Sequence, residues 1–95
     1  MRLNLLAQRA AVYNEPIEMR ERRHNYFPQA FLWHGHCYRV HAVERCWTVQ
    51  KHRQDISRLC FLVRCEEGKF EVYQNLVTNT WHVHRAEWQA AAGRA

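Results

Sequence analysis

The sequence predicts an all-β fold: an antiparallel meander of five to six strands, rolled into a small barrel or curved sheet, with short terminal helices. Three observations predict it. Strand-length segments each carry aromatics: Phe31-Leu32-Trp33, Tyr38 to Trp47, Phe61, Phe70 to Tyr73, and Trp81 to Trp88. Turn formers separate them, at Gly35, Gly68 and Thr78-Asn79. Several segments alternate apolar and polar residues with the period of two that a half-buried strand requires.

The 95 residues make one domain. It divides into an N-terminal helix or arm (1–14), the meander (16–86) and a C-terminal helical turn with a tail (87–95). A chain of this size has a modest core, but aromatics bury about 150–250 Å² each. With 12 of them, they can fill a small barrel.

The elements follow in order. Residues 3–12 are helix formers, with Leu3, Leu6, Ala7 and Ala10 on one helical face. Asn14-Glu15-Pro16 ends that helix, because proline forces its predecessor into extended conformations. Ile17 to Arg22 alternates as a first strand. Ala30 to His34 is the second, reversed by Gly35. Cys37 to Trp47 is the third and longest. Its alternation puts Tyr38, Val40 and Ala42 on the core face, and Arg39, His41, Val43 and Arg45 on the other.

Gln50 to Ser57 is a polar loop. Arg58 to Cys65 is apolar on both faces over Leu59 to Val63, so it is central. Glu66 to Lys69 is a hairpin turn, Lys69 to Val77 the fifth strand and Thr80 to Arg85 the sixth. Glu87 to Ala92 is a helical turn stopped by Gly93. The expected core is Phe31, Trp33, Tyr38, Val40, Phe61, Val63, Phe70, Val72, Trp81 and Val83.

The residues Phe31-x-Trp33-x-Gly35-x-x-Tyr38-x-Val40-x-x-Val43, then Trp47, Phe70-x-Val72-Tyr73 and Asn75-Leu76-x-Thr78-x-x-Trp81-x-Val83, resemble a small bacterial domain family with no assigned activity. The resemblance covers about residues 28–88. It implies a β meander of this length. Because some members are appended to error-prone DNA polymerase-like proteins, it also implies a link to DNA metabolism. Nothing in it transfers to the N-terminal segment or to the histidines.

Net charge is +5, and 12 of the 14 cations are arginine. Arginine makes planar bidentate contacts with phosphate and stacks on aromatic rings. The charge balance therefore favours acidic partners, nucleic acid first. The candidate nucleic-acid contacts are Arg22, Arg39, Arg45, Arg53 and Arg58, with Tyr73 or Trp47 available for stacking. The plain reading is also open: the arginines pair with Glu18, Glu21, Glu44 and Glu71 on an ordinary basic surface. A protein partner or a homodimer remains the alternative, since exposed sheet edges need covering.

Other chemistries have less behind them. Seven histidines include two His-x-His pairs, His34/His36 and His82/His84. Residues i and i+2 of a strand share a face, so His82 and His84 with His34, His36, Cys37 or His41 are candidate zinc ligands. The competing reading is that they are solvated outward residues, and no Cys-x-x-Cys is present. The single Asp55 and single Ser57 would have to meet His52 in a polar loop to make a triad. Three glycines include no phosphate loop. The expectation is a non-enzyme without a cofactor. No apolar run reaches the ~20 residues of a membrane span, and the start lacks a secretory signal. A cytoplasmic protein with four free thiols is expected.

Overall fold

The computed structural model describes residues 10–50 and 56–89. The fold is all-β: six antiparallel strands in consecutive order, β1 (Ala10–Arg23), β2 (Phe27–Trp33), β3 (His36–Gln50), β4 (Ile56–Cys65), β5 (Gly68–Asn75) and β6 (Thr80–Trp88). Each pairs with the next, and β6 pairs with β1, so the meander closes into a ring. The ring is not a regular barrel, because its two longest strands change partner partway along. From Ala10 to Ile17, β1 lies against β6; from Glu18 to Arg23 it lies against β2. Likewise β3 pairs with β2 only up to Arg39 and with β4 from Val40 onward.

The turns explain themselves locally. His34 and Gly35 both have positive φ (53° and 75°), the two-residue arrangement whose twist suits a tight hairpin. At the β5–β6 turn the Asn75 carboxamide oxygen accepts from the Val77 and Thr78 amides, at 2.9 and 3.2 Å. This is the local competition by which Asn ends strands.

Nine of the ten expected core residues are buried, and the tenth, Val40, is half-buried against them. Phe31, Phe61 and Phe70 are completely enclosed. The interior has two aromatic ends. Trp33 stacks on Trp88 with ring centres 5.8 Å apart, beside Tyr13, Tyr38 and Phe70. At the other end Phe61 meets Tyr26, Phe27 and Trp81. Two indoles at the Trp33 end find partners: the buried Trp33 donates Nε1 to Glu15 Oε1 at 3.0 Å, and the half-buried Trp88 donates Nε1 to the Tyr13 hydroxyl at 3.2 Å.

Four expectations need correction. Ala10 to Val12 are strand, not the end of a helix, because they register with Glu87, Ala86 and Arg85 of β6. That ladder overrides the helix preference of alanine; residues 3–9 lie outside the described residues. The strand also runs through Pro16, with Asn14 absorbing a bulge at φ 51°. Glu87 and Trp88 belong to β6 rather than to a helical turn, and residues 90–95 lie outside the described residues. Finally, β3 does not alternate evenly. Bulges between Val40 and Ala42, and between Val43 and Arg45, reset its phase. Val43 therefore faces Val63 in the core, while Ala42 joins Arg45 on the outer face.

All four thiols are free, Cys37 and Cys46 exposed, Cys60 and Cys65 buried. Burial, helped by the Glu67 charge, pushes the Cys65 thiol up to about 12. The linkage sign follows. The unfolded thiol ionises near 9 and the folded one near 12, so this stabilisation is complete below pH 9 and is lost as pH rises toward 12. Wild-type stability should fall by up to about 1.4 kcal/mol per pH unit across that window. Urea denaturation of Cys65→Ala at the same pH values should show a shallower alkaline decline; an equal decline would assign the effect to other groups.

Candidate nucleic-acid interface

The registers of β3 to β6 define what the outer face of the ring carries. Inward residues of β4 are Leu59, Phe61, Val63 and Cys65; outward ones are Arg58, Cys60, Leu62 and Arg64. Following the outward positions across the sheet gives rows. Trp47, Cys60, Tyr73 and His82 form one row across four strands. Val49, Arg58, Asn75 and Thr80 lie on one side of it, and Arg45, Leu62, Glu71 and Arg85 on the other. An aromatic row is thus flanked by an arginine on each side.

The arginines lie on the rings. The Arg45 guanidinium carbon is 4.8 Å from the centre of the Trp47 ring, and that of Arg58 is 4.2 Å from the centre of Tyr73. Both distances are within cation–π range. On the next strand His82 stacks on Tyr73, ring centres 5.0 Å apart and planes 19° from parallel. Burial and then the nearby Arg58 charge hold the His82 pKa below the usual histidine value. At neutral pH His82 is therefore a neutral flat ring, and its Nε2 sits 3.0 Å from the Thr80 hydroxyl. Cys60, between Trp47 and Tyr73, is only 6% exposed although it points outward. Its thiol is pushed up by burial, with the Arg58 charge pulling the other way and Glu71 adding to the rise.

Beside Trp47 a shallow groove is lined by Arg45, Lys69 and Arg85 with Glu71 and Glu87. Glu44 is engaged by Arg64 Nε and Lys69 Nζ, each at 3.4 Å, so its charge is balanced on the spot. Among the described residues, five cations across this face (Arg45, Arg58, Arg64, Lys69, Arg85) stand against three carboxylates (Glu44, Glu71, Glu87).

The five arginines singled out by the sequence are placed differently. Arg45 and Arg58 share this face. Arg39 lies on the part of β3 that pairs with β2, with Nη1 3.8 Å from Glu21. Arg22 donates to Asn25 Oδ1 at 3.2 Å and reaches toward Trp81 at the aromatic end containing Phe61. Arg53 lies outside the described residues, as do His52 and Asp55. Ser57 donates its hydroxyl to the Val49 carbonyl at 3.2 Å.

Each histidine of the two His-x-His pairs has a separate partner. His34 Nε2 is 2.7 Å from Glu15 Oε1, and His36 Nε2 is 2.8 Å from Glu67 Oε2. His84 sits at a bulge of β6, its Nδ1 2.7 Å from Asn14 Oδ1, while His82 stacks on Tyr73. Among the described residues no group of three or more His, Cys, Asp or Glu side chains could hold a metal ion. Nor, among them, is any helix long and apolar enough to cross a membrane.

The sequence reading missed His82 as a stacking residue. The signal was present: on a regular hairpin, an outward histidine beside an outward tyrosine follows from the β5–β6 register.

No family model, curated protein or solved structure matches the chain.

Proposed function

We propose that this protein is a non-catalytic module that binds single-stranded nucleic acid on the outer face of β3 to β6. The observation that carries the reading is the row Trp47–Tyr73–His82 with Arg45 and Arg58 lying on its rings. Single-strand binders combine cations that track the phosphates with aromatic faces on which bases stack. Here both groups occupy one surface. In the free protein the guanidiniums cover the rings. When a strand arrives, each arginine moves to a phosphate and a base takes its place on the ring. Base–aromatic stacking is worth about 1–3 kcal/mol per base, enough to repay the lost cation–π contact. The resemblance of residues 28–88 to a small bacterial domain family, of which some members stand alone and some are appended to error-prone DNA polymerase-like proteins, would fit a DNA strand as partner.

The test is fluorescence anisotropy with labelled single- and double-stranded oligonucleotides at two salt concentrations. Micromolar or tighter single-strand binding is expected, with duplex weaker, since a paired base cannot reach the rings. Log K should fall with log salt by about 0.7 for each phosphate neutralised. No binding at low salt would overturn the proposal.

A second reading rests on a different surface. Val49, Ile56, Leu76 and Val77 are exposed aliphatics. They gather at one end, where the Leu76 amide donates to the Ser57 carbonyl at 2.9 Å. Exposed apolar patches mark protein partners. A protein-interaction or assembly subunit is the function that absence of oligonucleotide binding would favour, and a pull-down would follow.

A further inference from the structure

We infer that the cleft where β2 and β3 part seats one base of the bound single strand, so that the strand's path continues from the outer face across Arg45 and over the edge of β3. This inference rests on the nucleic-acid reading above.

The cleft is a consequence of partner switching. Residues Phe27 to Leu32 of β2 pair with β1, but only Ala30 to Trp33 pair with β3. Beyond Arg39, β3 turns to β4. Among the described residues no strand fills the seam between Phe27–Gln29 and this part of β3. The resulting space is about 500 Å³, within the range of about 300–1,000 Å³ typical of small-ligand sites.

Its chemistry suits a nucleotide. The walls include Phe27, Val43 and Cys46, which are apolar, and the rim carries Arg23, His24 and Arg45. Phe27 is held edge-on to Tyr26, ring centres 4.8 Å apart, so it offers a fixed aromatic surface. Glu44 also borders the cleft, but its carboxylate is tied to Arg64 and Lys69. Among the described residues neither Arg23 nor Arg45 has a carboxylate partner, which leaves both for phosphate. Continuity decides the occupant. Arg45 borders this cleft and the outer groove beside Trp47, so one guanidinium serves both. A polymer with a phosphate between successive bases matches an apolar slot and an aromatic row joined through a cation.

The chain carries its own footprinting probes. Cys46 is exposed on the cleft wall; Cys37 is exposed opposite Leu32 on the β2–β3 hairpin. Alkylation of the two thiols should be followed by peptide mass spectrometry, with and without a saturating short oligothymidylate whose binding is read in parallel by anisotropy. The expected result is several-fold slower alkylation of Cys46 with Cys37 unchanged. Arg23→Ala, an exposed substitution, should weaken that protection and lower the salt slope by about 0.7. Binding that leaves Cys46 unprotected, or protects Cys37 equally, would overturn the cleft and leave the outer-face reading standing. Absence of binding would overturn both.

Discussion

Gly68→Ala is expected to cost roughly 2–6 kcal/mol, a large part of the about 5–15 kcal/mol that holds a domain together. Gly68 opens β5 with φ 150°, a conformation that side-chain-bearing residues rarely adopt. It is buried opposite Trp88 and Cys65. A Cβ there would land against the Glu87 carbonyl oxygen and within 2.9 Å of the Gln89 nitrogen and the Trp88 Cα. These neighbours are backbone, so relief requires β6 to move away from β5, and Trp88 would leave its stack on Trp33. Gly35→Ala is the comparison. Gly35 also has positive φ, but nothing lies within 4 Å of its would-be Cβ, so only the conformational cost of about 1 kcal/mol applies. Urea denaturation followed by circular dichroism should rank the variants in that order. A Gly68→Ala protein as stable as Gly35→Ala would mean that the β5–β6 junction yields easily.

The double variant Arg45→Ala/Arg58→Ala should lower single-strand affinity by about 10- to 100-fold, corresponding to about 1.4–2.8 kcal/mol. It should also flatten the salt dependence by about 1.4 in slope, because two phosphate contacts disappear. Both residues are surface positions without carboxylate partners among the described residues, so the fold should persist. Arg20→Ala is the matched control: it removes one charge from an exposed arginine whose Nη1 lies 3.0 Å from Glu18. Its salt slope should stay near that of the wild type. If the double variant behaves like this control, the outer face is not where the strand lies.

The meander and nearly all of its core were legible because aromatics, turn residues and alternation agreed over residues 30–85. The N-terminal strand was not. Ala10 and Ala11 favour helix, and the sheet preference of Val12 alone does not outweigh them; their strand comes from pairing with β6, near the other end of the chain. The faces of β3 were misread at Ala42 and Val43. The first bulge inverts these two and the second returns Arg45 to the outer face that plain alternation gave it, and neither His41 nor Glu44 announces a bulge. The candidate site was half readable for the same reason. Arg45 and Arg58 were identified from charge, but their meeting on one face with Trp47, Tyr73 and His82 depends on cross-strand register. Arg22 and Arg39, equally attractive by charge, are directed elsewhere by Asn25 and Glu21.

The pairing of β1 with β6 has a consequence for synthesis. The ring is sealed by contacts such as Ala10 with Glu87 and Trp88 with Tyr13. The strand made first must wait for the strand made last. Until then β1 can hold only β2, through Glu18 to Arg23, and its other half stays without a mate. The tertiary structure should therefore appear in a single late step as β6 clears the ribosome, not element by element.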